Sequence, residues 1–265
     1  MSSLVPAVKA VGEALKAVAG LPVFIAGSSV ACLVHEDVVG SNAFDDVDVF
    51  CASQNSLIAT VQLLLSQGYT IEPRHQRVWA RWLEFGFNKW HTNSLKLSKG
   101  GIEINCVYKL VDGHPTTSLS QVLESFDFGL LGVGIDARDG VLRDLRPFLF
   151  PNLNKSGPLP LLPVRQTNWR NGFISQYQGL REVGRYVKYV DYGYDLSLVK
   201  DDLLTGYKSV ASYMIDRGGD EKLKLGAIYE SLAMRIEDDD LDALREAAKE
   251  ILFLDDLDAI MEAID

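Results

Sequence analysis

Hydrophobic and polar positions follow two different periods along the first 150 residues of the chain. In some stretches apolar residues recur every three or four positions, which predicts amphipathic helices, and short β-branched runs between them predict strands. We expect helices over 4–19, 29–35, 55–67 and 118–125, and strands over 23–27, 47–52, 69–73, 78–87, 94–98, 102–109, 128–136 and 141–145. This alternation is typical of an α/β (α+β) domain built on a mixed β-sheet.

A stretch rich in proline, glycine and asparagine, residues 151–163, interrupts the pattern and predicts a linker. Beyond it the hydrophobic period is helical, and we expect helices over 171–191, 199–216, 220–236 and 240–264. The sequence therefore predicts two domains. The first, 1–150, is a mixed β-sheet flanked by helices, and the second, 151–265, is mostly α-helical.

The charge of the chain is unevenly distributed. The 265 residues are 47% hydrophobic and 23% charged, with a net charge of −10, which is a composition typical of globular proteins rather than of disordered or collagen-like ones. Residues 231–265 hold 12 acidic and three basic residues, a net charge of −9, so the rest of the chain carries only −1. A nearly neutral remainder leaves room for a local basic surface.

Residues 74–99, the basic segment, are the candidate for such a surface. The segment has one acidic residue against six basic ones and holds three of the four tryptophans. The residues are Arg74, Arg77, Arg81, Lys89, Lys96 and Lys99, with Trp79, Trp82 and Trp90. Basic side chains interleaved with aromatic ones suit single-stranded RNA, because the aromatic rings stack on unpaired bases. The alternative interpretation is a β-hairpin whose aromatic side chains belong to the core.

Other sequence features point to a cytoplasmic protein. No apolar run reaches the roughly 18 residues of a membrane-spanning helix, and the N-terminal residues lack the pattern of a signal peptide. Cys32, Cys51 and Cys106 are odd in number and lack metal-ligand spacing, so we expect buried thiols, with neither a disulfide nor zinc. We expect no membrane partner, and no DNA specificity is evident.

Three short motifs carry the candidate chemistry, IAGSS (25–29), DDVDVF (45–50) and IEINCVY (102–108). A strand that runs into Gly-Ser at the start of a helix presents backbone amides to an anion such as phosphate. Asp46 and Asp48 are two apart on a predicted strand, so both side chains point to the same face. Paired carboxylates favour a cation, and Mg²⁺ typically binds one or two carboxylates plus substrate phosphates. Glu103 can bring a third carboxylate beside the pair.

In this order, the motifs resemble the signature of the nucleotidyltransferase superfamily of the DNA polymerase β type. Gly27 and Ser28 match its Gly-Ser, Asp46 and Asp48 its paired acids, and Glu103 its later acid. More narrowly, the runs INCVY, SQVLESFDFGLLGVGID and LREVGRYVKYVDYGYDL look like small nucleotidyltransferase-like proteins of tailed bacteriophages, whose Phe-Asp signature corresponds to Asp127. The third acid is thus Glu103 by the superfamily pattern or Asp127 by the phage-type pattern, and we favour Glu103. The resemblance covers roughly residues 20–195.

The resemblance implies a nucleotidyltransferase that moves NMP from an NTP to an acceptor hydroxyl by a two-metal mechanism. Mg²⁺, with Mn²⁺ as an alternative, would be held by Asp46, Asp48 and Glu103, and the triphosphate by Gly27, Ser28 and Ser29. The basic segment favours an RNA end, especially a tRNA end, as the acceptor, with a protein or a small molecule left open. A phage-encoded enzyme would act in the host cytoplasm.

A second basic cluster lies in the predicted helix 171–191. Arg181, Arg185 and Lys188 share one helix face there and can clamp a triphosphate, although a solvated face is an equal alternative. Two other hypotheses for the whole chain stay open. One is a catalytically silent nucleotide- or RNA-binding protein that keeps the fold, and the other is an interaction role led by the acidic C-terminal helices.

Overall fold

The computed structural model describes residues 4–34, 44–86, 92–111, 114–126, 131–145, 173–192 and 197–250. The chain forms two compact units, Met1–Gly157 and Pro158–Asp265. The predicted linker, Asp127, Lys89 and Trp90 lie outside the described residues. Within the described part, no helix is both long enough and apolar enough to cross a membrane.

The first unit is a mixed β-sheet flanked by helices, as the sequence predicts. Its helices are α1 (Leu4–Val18), α2 (Ser28–Val34), α3 (Gln54–Ser66), α4 (Pro73–Phe85) and α5 (Leu119–Glu124). Its strands are β1 (Val23–Ala26), β2 (Val47–Cys51), β3 (Thr70–Ile71), β4 (Asn93–Lys99), β5 (Ile102–Tyr108), β6 (Leu110–Val111), β7 (His114–Pro115), β8 (Val133–Asp136) and β9 (Leu142–Asp144). Seven strands form one sheet in the order β3-β4-β5-β2-β1-β8-β9, and β6 pairs with β7.

The central strand pair, β2 and β5, is parallel, and the other described pairs of the large sheet are antiparallel. One face of the strands β1, β2 and β5 is apolar. Ile25, Val49 and Cys106 lie opposite one another on this face, and all three are buried. Helices α1 and α3 contact strands of the sheet, and their own apolar residues, such as Leu57, are fully buried. Because strand side chains alternate between faces, the residues between these apolar positions lie on the opposite face.

The opposite face of the sheet is divided into an apolar and a polar half. In the apolar half, Phe24, Phe50 and Val107 form a buried cluster with Leu119, Val122 and Leu123 around helix α5. Two residues back along β2 and β5, the same face carries Asp48 and Asn105 instead. This change from apolar to polar positions along the same two strands defines the candidate site.

The described part of the second unit is helical. It contains α6 (Phe173–Asp191), α7 (Ser197–Arg217), α8 (Asp220–Glu237) and a helix α9 over 241–250. Tyr207 and Tyr229 are fully buried, and their rings meet edge to face at 5.3 Å between centroids. Such aromatic pairs contribute about 0.5–1.5 kcal/mol beyond the burial of their area.

One predicted element is wrong: the described residues of the predicted strand 78–87 do not form a strand, because helix α4 occupies Pro73–Phe85. Pro73 stands at the first helical turn, where its missing N–H costs no hydrogen bond and its fixed φ favours the helix. The half-buried residues His75, Val78, Trp79 and Trp82 recur at helical spacing. The hairpin alternative for the basic segment is therefore wrong as well. The short pair of β6 and β7 is not predicted by the sequence.

Candidate active site

Strand register brings the sequence motifs together on the polar half of the sheet face. Asp48 of β2 lies opposite Ala26 of β1 on one side and opposite Asn105 of β5 on the other. Asn105 in turn lies opposite Lys96 of β4. Paired residues of neighbouring strands point to the same face. Four strands therefore contribute one row of side chains, Lys96, Asn105, Asp48 and Ala26, and Gly27 follows directly.

Asp48 is held in place from both sides. The amide Nδ2 of Asn105 donates a hydrogen bond of 2.9 Å to Asp48 Oδ1. On the other side lies Gly27, where an added Cβ would be 2.7 Å from Asp48 Oδ2. Gly27 also has φ +94°, a conformation that L side chains rarely adopt. The backbone of the Gly27 turn and the Asp48 carboxylate are thus in close contact, which requires glycine at this position.

Asp46 is paired with a cation from two strands away. The Lys96 Nζ atom lies 2.7 Å from Asp46 Oδ2, with side chains only 22% and 14% exposed. Burial alone lowers the pKa of Lys96. The hydrogen bond and charge of Asp46, with the charges of Glu72 and Glu103, outweigh burial and raise this pKa above its ordinary value. Lys96 is therefore a permanent positive charge on the same face as the two aspartates.

Glu103 lies two residues before Asn105 on β5, so its half-buried side chain shares this face. Its charge acts on Lys96, which places it in the same electrostatic neighbourhood as Asp46. Among the described residues, however, no group of three or more His, Cys, Asp or Glu side chains is placed to hold a metal ion. Asp46, Asp48 and Glu103 are thus brought to one face, and the role of Glu103 as a third ligand stays a prediction.

The donors at this face suit a hard divalent cation. Carboxylate and amide oxygens are the ligands that Mg²⁺ and Mn²⁺ prefer. The Asn105 Oδ1 atom is buried and has no hydrogen-bond partner among the described residues. Buried polar atoms are nearly always satisfied in folded proteins, so an unsatisfied oxygen beside Asp48 requires an explanation. The donor types present at this face therefore fit a divalent cation, and Asp46 and Asp48 as its carboxylate ligands stay a prediction.

The Gly-Ser turn joins β1 to α2, as the sequence predicts. The Gly27 carbonyl accepts a hydrogen bond of 3.0 Å from the Ala31 amide, which begins the helix. Ser28 is partly exposed, whereas Ser29 is completely buried and its hydroxyl has no partner among the described residues. Of the two serines predicted to bind triphosphate, only Ser28 is accessible from solvent.

The structure divides the basic segment into separate groups. Arg74, Arg77 and Arg81 are exposed along one side of helix α4, and we call them the arginine stripe. Lys96 pairs with Asp46, and Lys99 donates to the Gln67 carbonyl at 2.6 Å. Trp79 and Trp82 are half-buried. The five basic residues of the segment that the structure describes do not form one surface, and the arginine stripe is the part that keeps several exposed basic side chains on one face.

The predicted clamp in the second unit lies on helix α6. The structure describes no side-chain placement for Arg181, Arg185 is exposed, and Lys188 lies over the ring of Tyr192 at 5.5 Å. Their role in binding triphosphate stays a prediction.

Sequence reasoning missed two residues of this site. By sequence, Lys96 belongs to the basic segment and has no link to Asp46, and Asn105 is only part of the INCVY run, with no chemical role of its own. The available signal for Asn105 was the spacing Glu103-x-Asn105, which puts both polar side chains on one face of an otherwise apolar strand.

The sequence matches no protein-family model and no curated protein. Among solved structures it is similar to a CCA-adding enzyme in complex with CTP, at 14% identity and a TM-score of 0.49, over 91% of this chain and 54% of that chain. A CCA-adding enzyme from Bacillus stearothermophilus with CTP gives 14% identity and a TM-score of 0.48, over 90% and 57%. A tRNA nucleotidyltransferase with a primer tRNA and an ATP analogue has 17% identity and a TM-score of 0.41, over 80% of this chain and 58% of that chain. The chain spans little more than half the length of each.

Proposed function

We propose that the protein is a metal-dependent nucleotidyltransferase that moves NMP from an NTP to an acceptor hydroxyl, with an RNA end, such as a tRNA end, as the favoured acceptor. The observation that carries the proposal is the contact between the Gly27 turn and Asp48, on a strand that Asp46 directly precedes. A phosphate contact at Ser28 and a metal contact at Asp48 are then neighbours, which is the arrangement that NTP chemistry needs.

Each residue of the site has a role in this proposal. Asp46 and Asp48 hold Mg²⁺ or Mn²⁺, and Asn105 orients the Asp48 carboxylate. Ser28 and the amides after Gly27 bind phosphate oxygens. A bound divalent metal would lower the pKa of the attacking hydroxyl and neutralise charge on the leaving pyrophosphate.

During the transfer, the acceptor oxygen bonds to the α-phosphorus while the bond from that phosphorus to pyrophosphate breaks. Glu103, with Asp127 as the alternative, accepts the proton of the acceptor hydroxyl.

The arginine stripe supports RNA as the acceptor. Its three arginines are exposed on helix α4, and Arg74 also pairs with Glu72 at 2.9 Å. Arginine suits phosphate oxygens because it presents a fork of donors that matches phosphate geometry. Helix α4 is attached to the site through the backbone of Lys96. The Lys96 carbonyl accepts a hydrogen bond of 3.0 Å from the Glu72 amide, and the Lys96 amide donates one of 2.8 Å to His75 Nδ1. A strand of RNA bound along the stripe would therefore be held next to the strand that carries Lys96.

The substitution Asp48→Asn tests this proposal most cleanly. Asparagine keeps the size of the side chain but removes the charge that binds the metal. We expect Mg²⁺-dependent release of pyrophosphate from an NTP and total RNA to fall at least about 100-fold, since metal ions supply several kcal/mol of transition-state stabilisation. The stabilisation of the wild type by Mg²⁺ with NTP, about 2.7 kcal/mol at 100 times the dissociation constant, should disappear as well.

Two further variants complete the experiment. Asp46→Asn should also abolish activity, but it leaves the half-buried Lys96 without its counter-ion and should lower stability. Asp139→Asn is the control, because Asp139 is exposed, pairs with Arg143 and accepts a hydrogen bond from the Val141 amide. Stabilisation by NTP without pyrophosphate release would favour the catalytically silent binding protein, and an unchanged response of Asp48→Asn would contradict the assignment of the site.

A further inference from the structure

The ion pair between Lys96 and Asp46 crosses a strand. Lys96 lies on β4 and Asp46 directly precedes β2, with β5 between the two strands. Adjacent strands are about 4.7–4.9 Å apart, so the lysine side chain has to extend over the face of β5 to reach the carboxylate. Its stem therefore lies over the part of β5 that carries Glu103 and Asn105. An ion pair that reaches across a whole strand, with side chains only 22% and 14% exposed, differs from an ordinary surface ion pair, whose two groups are solvated.

We propose that Lys96 is a built-in counter-ion that occupies the cation position at Asp46 and is displaced when a divalent metal binds there. This inference rests on the proposed function, since it assigns the metal to the same carboxylate. Asp46 and Asp48 lie two residues apart on one face, and two like charges in such positions repel unless a cation lies near them. The ammonium group supplies that cation in the metal-free protein.

The metal and the ammonium group compete for the same oxygen. Asp46 Oδ2 is 2.7 Å from Lys96 Nζ, a distance at which no metal ion fits between the two atoms. Two cations bound to one carboxylate oxygen would also repel each other strongly in this half-buried environment. Binding of a metal at Asp46 Oδ2 therefore requires the ammonium group to leave.

The displaced ammonium group stays close to the site. The backbone of Lys96 is fixed on both sides, by strand pairing with Asn105 and by hydrogen bonds to Glu72 and His75 at the start of helix α4. Only the side chain can move, and it remains on the face that carries Asp48. A lysine released there is a donor for a phosphate oxygen of the NTP. Lys96 thus weakens binding of the metal alone and strengthens binding of the metal together with the nucleotide.

The test compares Mg²⁺ affinity in the full chain, measured without nucleotide by calorimetry. Lys96→Met keeps most of the stem over β5 but removes the charge, so we expect it to bind Mg²⁺ at least about 10-fold more tightly than the wild type. Lys96→Arg, which keeps a cation, should bind Mg²⁺ as the wild type does. Lys99→Met on the same strand is the matched control and should not change Mg²⁺ affinity. In activity assays, Lys96→Met should raise the KM for NTP.

A second measurement uses the wild type, so that the proposal stays testable even where Lys96→Met does not fold. Amine-reactive labelling followed by mass spectrometry should show that Mg²⁺ increases the reactivity of Lys96 but not of Lys99. Equal or weaker Mg²⁺ binding by a folded Lys96→Met variant, or unchanged Lys96 reactivity, would overturn this proposal alone. Absence of Mg²⁺ binding in both the wild type and the variant would overturn it together with the metal dependence of the proposed function.

Discussion

At the scale of single residues, Gly27 is the point where backbone and carboxylate are closest. Replacing it with alanine would put a Cβ 2.7 Å from Asp48 Oδ2 and force a side chain onto a φ of +94°. We expect Gly27→Ala to lower kcat at least about 10-fold, because the Asp48 carboxylate has to move from its hydrogen bond with Asn105. The unfavourable φ should also lower stability by about 1–3 kcal/mol. Pyrophosphate release and urea unfolding measure the two effects.

Gly20→Ala is the matched control for this prediction. Gly20 has a φ of +79°, but a Cβ there meets no atom within 4 Å. The Gly20→Ala variant should therefore lose about as much stability as Gly27→Ala does, with an unchanged kcat. Equal losses of kcat in the two variants, or none in either, would mean that the contact with Asp48 has no catalytic importance.

The residues of the site differ in how far the sequence predicts them. The sequence predicts a shared face for Asp46 and Asp48 from strand alternation, which is a local property. In the structure β2 begins at Val47, so Asp46 directly precedes the strand. Their neighbours Asn105 and Lys96 depend on the register between β2, β5 and β4, and these strands are far apart in sequence. Register is set by packing of the whole apolar face, so the ion pair of Asp46 with Lys96 could not be derived from spacing.

At the scale of elements, helix α4 determines what the basic segment can bind. The stripe residues Arg74, Arg77 and Arg81 share one side of the helix, whereas Trp79 and Trp82 lie on its half-buried side. Contacts with RNA should therefore come mainly from the guanidinium groups, and base stacking should contribute less than the sequence suggests. Phosphate contacts give affinity that depends on salt and little on base sequence.

The salt dependence of RNA binding tests the arginine stripe. Replacing its three arginines with alanine should reduce the slope of log affinity against log salt by about 2, at roughly 0.7 for each phosphate contact with a single strand. NTP affinity in the presence of Mg²⁺ should not change. Filter binding of a single-stranded RNA at several salt concentrations measures the slope.

Three exposed lysines outside the basic segment provide the control for this experiment, Lys9, Lys16 and Lys222. Their combined replacement with alanine removes the same charge and should leave the slope unchanged. A stripe variant that labels its acceptor as well as the wild type, with the same salt dependence, would contradict an RNA surface on α4. A protein or small-molecule acceptor would then be the better hypothesis.

Helix α4 also shows where the prediction of elements fails. Strands β1 and β2 are short apolar runs bounded by breakers, and the structure places them within two residues of their predicted ends. The run from Val78 to Phe85 is also largely apolar, although it contains Arg81 and Glu84, and its inner residues recur at helical spacing. A short run of this kind fits both periods, and Pro73 is the residue that favours the helix.

At the scale of the whole molecule, the acidic residues of the second unit are partly neutralised by pairs on its surface. Lys208 pairs with Glu237 at 2.9 Å, Lys200 with Asp239 at 2.5 Å, and Arg245 with Asp191 at 2.6 Å. Exposed pairs of this kind contribute about 0–1 kcal/mol each, so they explain little of the stability. One carboxylate of this unit, Glu182, is buried instead.

Glu182 links the stability of the second unit to pH. The residue is buried on helix α6, and burial raises its pKa from 4.5 to about 8. Its charge also acts on the buried Tyr207. In the unfolded chain Glu182 loses its proton near pH 4.5, whereas in the folded unit it keeps the proton until about pH 8. Its contribution to stability is therefore complete below about pH 4.5 and falls as the pH rises to 8, by a few kcal/mol in order of magnitude.

Glu182→Gln removes this titration while keeping the size of the side chain. The variant should match the wild type near pH 5 and be more stable than the wild type at pH 8, where the wild type has lost the contribution of its neutral carboxyl. Hydrogen exchange of the amides in 173–192 and 197–250, measured at both pH values under urea, reports this unit separately from the sheet. Glu246→Gln is the control, because Glu246 is exposed and pairs with Lys249 on the surface. Parallel pH profiles for the wild type and Glu182→Gln would mean that another group is responsible for the pH dependence of this unit.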